Sequence, residues 1–171
     1  MFRAELVKAW TTRTAVALTA GAVVAVALGT ISMVLSQPAE QLGRSLRDQQ
    51  FYFITSMALT TFAGVLGVRS FTDEFRYGSI LPTFLLQPRR GRVLASKSLA
   101  AALWAAGMAL VVQAVMVGVA VGLAGTRGAR PEIAGADLAA MLGLTAGAAL
   151  WAMLGVGLGA ALRHQIAAIL G

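Results

Sequence analysis

Four apolar runs, each long enough to cross a lipid bilayer, leave this chain few ways to fold. They cover residues 14–35, 51–70, 98–124 and 138–162. A hydrocarbon core about 30 Å thick takes roughly 20 residues of α-helix. Inside it each backbone N–H and C=O must find its partner within the segment, so the runs are helices. The expected fold is all-α: a polytopic transmembrane helix bundle in a single domain over residues 1–171. Composition agrees. Of the residues, 58% are hydrophobic and 12% charged, too little charge to keep a soluble domain of this size in solution.

The charge that remains marks the membrane surfaces. The net charge of +7 would point to nucleic acid in a soluble protein. Here the basic residues gather at the ends of apolar runs, which is the membrane pattern and argues for no nucleic acid partner. Ten of the 14 Lys and Arg fall on one side: Arg3, Lys8, Arg13, the cluster from Arg69 to Lys97, and Arg163. Arg44, Arg47, Arg127 and Arg130 fall on the other. That excess predicts a multi-pass protein with a cytoplasmic N-terminus. There is no cysteine, hence no disulfide framework and no thiolate metal site. A single histidine and seven scattered acids argue against a catalytic metal centre.

Before the first run, Phe2, Leu6 and Trp10 recur at helical spacing, while Arg3, Lys8 and Arg13 take much of the other face. This pattern over residues 1–13 predicts an interfacial helix lying in the membrane plane, not a cleavable signal. Gln37-Pro38 stops the first span. Phe51, Tyr52 and Phe53 open the second at the level of an aromatic belt. Three glycine pairs, Gly118/Gly122, Gly143/Gly147 and Gly155/Gly159, have the spacing that lets helices approach closely. Arg163-His164-Gln165 makes a polar break, and residues 165–171 begin another apolar run too short to span a bilayer. A truncated chain is the expectation there.

The segment 71–97, between the second and third spans, is the largest excursion from lipid. Nothing from Arg69 to Tyr77 breaks a helix, so the second span is expected to run on to Gly78. Ser79 can cap a second, short helix, with Pro82 in its first turn and Ile80, Leu81, Phe84 and Leu85 as its apolar surface. Gln87-Pro88 ends it, and Arg89, Arg90, Arg92 and Lys97 form a basic shoulder before the third span. Asp73 and Arg76 can brace each other at i, i+3. Taken alone, Glu74 and Arg76 read as an ordinary solvated flank.

The run Glu74-Phe-Arg76-Tyr-Gly78-Ser79, followed by Pro88-Arg-Arg90 and Lys97, resembles the E-x-R-x-G-[TS] … P-x-R … K signature. That signature belongs to the type-2 (exporter class) permeases of ATP-binding-cassette (ABC) transporters. Glu5-Leu6-Val7-Lys8 is similar to the N-terminal interfacial helix of the same family. The resemblance runs through the chain in order, and its specific part is about 25 residues long. Gln87 stands where many members have threonine. The family usually has six spans, so four plus the start of another imply a truncated six-span fold.

The resemblance implies a permease subunit of an ATP-driven exporter in a bacterial plasma membrane. Its coupling helix would dock on a separate ABC ATPase subunit. The implied contact residues are Glu74, Arg76, Gly78, Ser79, Ile80, Pro82, Phe84, Leu85, Pro88, Arg90 and Lys97. A second permease copy or paralogue would complete a dimer. No Gly-x-x-x-x-Gly-Lys-[Ser/Thr] occurs, so ATP and Mg belong to the partner ATPase; no cofactor is expected in this chain, which is not itself an enzyme. A different class of function also fits: a non-transporting membrane anchor or assembly factor that recruits a cytoplasmic partner through the same segment.

Overall fold

The computed structural model describes residues 13–38, 42, 51–76, 90–131, 133 and 135–170. They form four helices: α1 (Arg13–Ser36), α2 (Phe51–Arg76), α3 (Arg90–Thr126) and α4 (Gly135–Leu170). No strand occurs among the described residues. Each helix contains a stretch long and apolar enough to span a membrane: Arg13–Ser36, Phe51–Ser70, Leu94–Thr126 and Gly135–Ala161. The interfacial helix expected over residues 1–13 lies outside the described residues except for Arg13.

Helix ends differ from the sequence expectation for reasons that are local. The third helix starts at Arg90, not near residue 98, because charge interrupts hydropathy without interrupting a backbone. Its 37 residues extend about 55 Å, well beyond a bilayer core. The same reasoning covers Arg163-His164-Gln165. From Ala160 to Leu170 there is no Gly or Pro, and α4 continues through the polar break as one helix.

The four helices are arranged as a lozenge. α1 packs on α2 and α3, α4 packs on α2 and α3, and α2 touches α3 across the middle. The most extensive pairing is α2 with α4, two helices that run parallel and are not neighbours in sequence. α1 is peripheral. It buries a single stripe, Ala22, Val26, Thr30 and Val34, one residue per turn. Val16, Val24, Leu28 and Leu35 on its other sides stay exposed, as a lipid-facing helix requires.

Two glycines seat α1 on α2. A Cβ on Gly21 would lie 2.9 Å from Phe62 Cε1, and one on Gly29 would lie 2.8 Å from Ile54 Cγ2. Eight residues forward along α1 is eight back along α2, so antiparallel helices meet twice in register. Hydroxyls inside the spans are spent locally. Thr19 donates to Ala15 O, Thr55 to Phe51 O and Thr61 to Met57 O, at 2.8–2.9 Å. Such bonds let serine and threonine sit in lipid at little cost.

The α3–α4 turn is closed by a glycine. Gly128 has φ +74°, and its N–H donates to Gly125 O at 3.1 Å. Ala129 N–H reaches back to Ala124 O at 3.0 Å, which completes a Schellman cap. Ala124 and Ala129 are both buried, the apolar contact that usually accompanies this cap. Gly128→Val places a β-branched residue in the left-handed region. It is expected to lower stability by about 1–2 kcal/mol, read as a shifted unfolding midpoint in micelles.

Candidate functional site

The segment between α2 and α3 is where the sequence places function, and the structure frames it from both sides. α2 passes the end of its apolar stretch at Ser70 and continues as helix to Arg76, about 9 Å farther. Glu74 and Arg76 therefore occupy its last turn. Arg90 is the first residue of α3. Gly78, Ser79, Ile80, Pro82, Phe84, Leu85 and Pro88 lie outside the described residues, as do Phe2, Leu6 and Trp10.

Lys97 is the one expected contact residue whose side chain is described. It is only 3% exposed. Its ammonium donates to Ser70 O at 3.5 Å, across the two helix segments that emerge on this side. Ser70 in turn donates its hydroxyl to Gly67 O at 2.9 Å. Lys97 thus faces inward between α2 and α3 and joins the two arms that flank the segment. A cation held at this depth keeps its head near the membrane surface while its stem packs among apolar neighbours.

Below that junction α2 and α4 come together backbone on backbone. A Cβ built on Gly67 would run into Ala152 O and lie 3.0 Å from Gly155 Cα. One built on Gly155 would lie 2.5 Å from Gly64 O and 3.0 Å from Val68 N. Small residues permit this contact, and van der Waals packing is what drives helix association in lipid. Of the glycine pairs marked in the sequence, Gly155 sits in this crossing and Gly159 is buried one turn on. At Gly118, Gly122, Gly143 and Gly147 a Cβ would meet nothing within 4 Å. Sequence reasoning passed over Gly64 and Gly67. The signal was the run Thr60, Ala63, Gly64, Gly67 at three- and four-residue spacing.

The opposite end of the bundle is tied by polar contacts. Arg127 Nη1 donates to Val34 O at 2.6 Å and to Gln37 O at 2.9 Å. These carbonyls lie at the C-terminal end of α1, where a cation suits both unpaired acceptors and the helix dipole. Tyr52 donates its hydroxyl to Asp137 O at 3.4 Å, joining the starts of α2 and α4. Tyr52 and Asp137 are 85 residues apart, and so are Gly67 and Ala152. The parallel pair therefore keeps one register from Tyr52 to Gly67. Arg127→Ala is expected to cost about 1 kcal/mol and to speed amide hydrogen exchange at residues 33–37.

In the middle, Gln113 of α3 donates from Nε2 to Thr145 Oγ1 of α4 at 3.0 Å. Thr145 passes its own proton to Met141 O at 2.9 Å. Gln113 is fully buried, an amide near mid-span among mostly apolar core neighbours. No family model, curated protein or solved structure matches the chain.

Proposed function

We propose that this chain is the membrane permease subunit of an ATP-driven exporter of the ATP-binding-cassette type. The observation that carries the reading is the Glu74-x-Arg76-x-Gly78-Ser79 … Pro88 … Lys97 pattern, which begins in the last turn of α2 and ends in the first turns of α3. The placement of its flanks supports it. A docking element must stand clear of lipid, and α2 runs past its apolar stretch to deliver Glu74 and Arg76. It must also transmit force. Lys97, lodged against Ser70 O, couples the start of α3 to the end of α2, so a push on the segment moves both helices.

On this reading a separate ATPase subunit binds ATP and Mg²⁺ and grips residues 79–86. The basic excess around Arg13, Arg69 and Lys97 supports a cytoplasmic orientation for that side, and the family resemblance supports a bacterial plasma membrane. A second permease copy or paralogue completes the transporter. The spans carry almost no charge, which suits an apolar or amphipathic substrate better than an ion-coupled one.

The test is co-purification. The intact protein is tagged and extracted gently from its native membrane, beside a Glu74→Ala/Arg76→Ala variant. An ATPase with a phosphate-binding loop is expected with the parent and missing from the variant. Recovery of the parent with no ATPase would overturn the transporter reading in favour of an anchor.

A further inference from the structure

The buried face of α4 changes character along its length. Asp137, Met141 and Thr145 follow at i, i+4 and i+8, then come Ala148, Ala152 and Val156. The first part is polar. Asp137 O accepts the Tyr52 hydroxyl, Met141 O accepts the Thr145 hydroxyl, and Thr145 Oγ1 accepts Gln113 Nε2–H. This file of hydrogen-bonding groups runs about 12 Å from the Arg127 end of the bundle toward its centre. It stops at Gln113.

There it ends on an acceptor. Gln113 is 0% exposed, and among the described residues no donor reaches its Oε1. A buried amide oxygen left in that condition loses the hydrogen bond that water would give it in the unfolded chain. Turning the amide over does not help, because two N–H donors then take the same place and Thr145 must give up Met141 O. The neighbours one turn away, Ala109 on α3 and Ala148 on α4, are small and buried. Such an oxygen takes an O–H or N–H, and the small side chains of the two alanines leave more room for one than larger residues would.

We infer that Gln113 Oε1 holds a small hydroxyl donor between α3 and α4, a water molecule or the hydroxyl of an alcohol-like solute. Thr145 fixes the other half of the amide, so the carbonyl is presented in one orientation. The polar file from Tyr52 and Asp137 supplies stepping points from the Arg127 end. None of this depends on whether ATP drives the protein.

The test is solid-state magnetic resonance on the full chain in lipid, with glutamine carrying ¹³C and ¹⁵N. Gln113→Leu assigns the Gln113 Cδ signal by its loss. Magnetisation transfer from water protons to Gln113 Cδ is expected, and it persists in Thr145→Val, where the relaying hydroxyl is gone. Transfer only after 1-hexanol is added, and none with hexane, assigns the donor as a solute hydroxyl instead. A Gln113 Cδ that receives transfer from neither water nor 1-hexanol overturns the inference.

Discussion

Gly67→Val is expected to destabilise the bundle by on the order of 3–4 kcal/mol. The reason lies in what the new side chain meets. A Cβ at this position runs into the carbonyl of Ala152 and lies 3.0 Å from Gly155 Cα. Those are backbone atoms of a helix and cannot rotate aside as a side chain would. α2 and α4 must separate, and a gap of even 1 Å forfeits a quarter to half of each dispersion contact along the crossing. Gly155→Val meets Gly64 O at 2.5 Å and is expected to behave alike. Gly118→Ala and Gly143→Ala are the controls. Each adds a methyl that meets nothing within 4 Å and should stay within about 0.5 kcal/mol of the parent or gain slightly. Reversible unfolding in mixed micelles reads all four, and a Gly67→Val protein as stable as the parent would disprove the crossing.

Glu74→Lys is expected to lower ATP-dependent transport more than tenfold without disturbing the fold. On the proposed function Glu74 meets the ATPase, and removing one partner of a desolvated charge pair costs about 2–5 kcal/mol. That range corresponds to roughly 30-fold or more in affinity, and reversal adds repulsion. Stability should not follow. Glu74 lies two turns, about 10 Å, beyond Gly67, at the end of α2 away from the α4 crossing. The unfolding midpoint of Glu74→Lys is therefore expected to match the parent within about 0.5 kcal/mol. Reconstituted vesicles carrying the intact transporter give the rate, and a rate unchanged by the reversal rules out a coupling role for this carboxylate.

The span count and approximate positions were legible because lipid imposes a length and a hydropathy that few other constraints imitate. Helix termini were less so. Arg90, Arg92 and Lys97 read as a shoulder outside the third span, yet they occupy the first turns of α3. Hydropathy reports where lipid ends, whereas helix ends depend on caps such as Gly128. Which faces meet was the least legible. Gly143/Gly147 and Gly155/Gly159 carry the same motif, but Gly155 lies against another backbone while Gly143 and Gly147 face open space, because spacing marks a face that can be approached and not the helix that approaches it. Nor does sequence reveal a parallel pairing such as α2 with α4, since the two helices are separated by a third. That the Lys97 ammonium reaches Ser70 O within the chain was not visible in the sequence either, because the two residues meet only when α2 and α3 pack. Gln113 drew no notice, being one amide in a long apolar run whose pairing with Thr145 is visible only in three dimensions.

The grip of Arg127 on α1 has a consequence for how the protein is made. Val34 O is bonded by a residue 93 positions later, and Gln37 O by the same residue 90 positions later. At translation rates of about 5–20 residues per second, that interval is roughly 5–20 s. Throughout it the first helix stands in the bilayer with its final carbonyls hydrated or bonded to lipid headgroups. The ribosome must finish a third helix before the first acquires its lasting terminus, so α1 is inserted early and settled late.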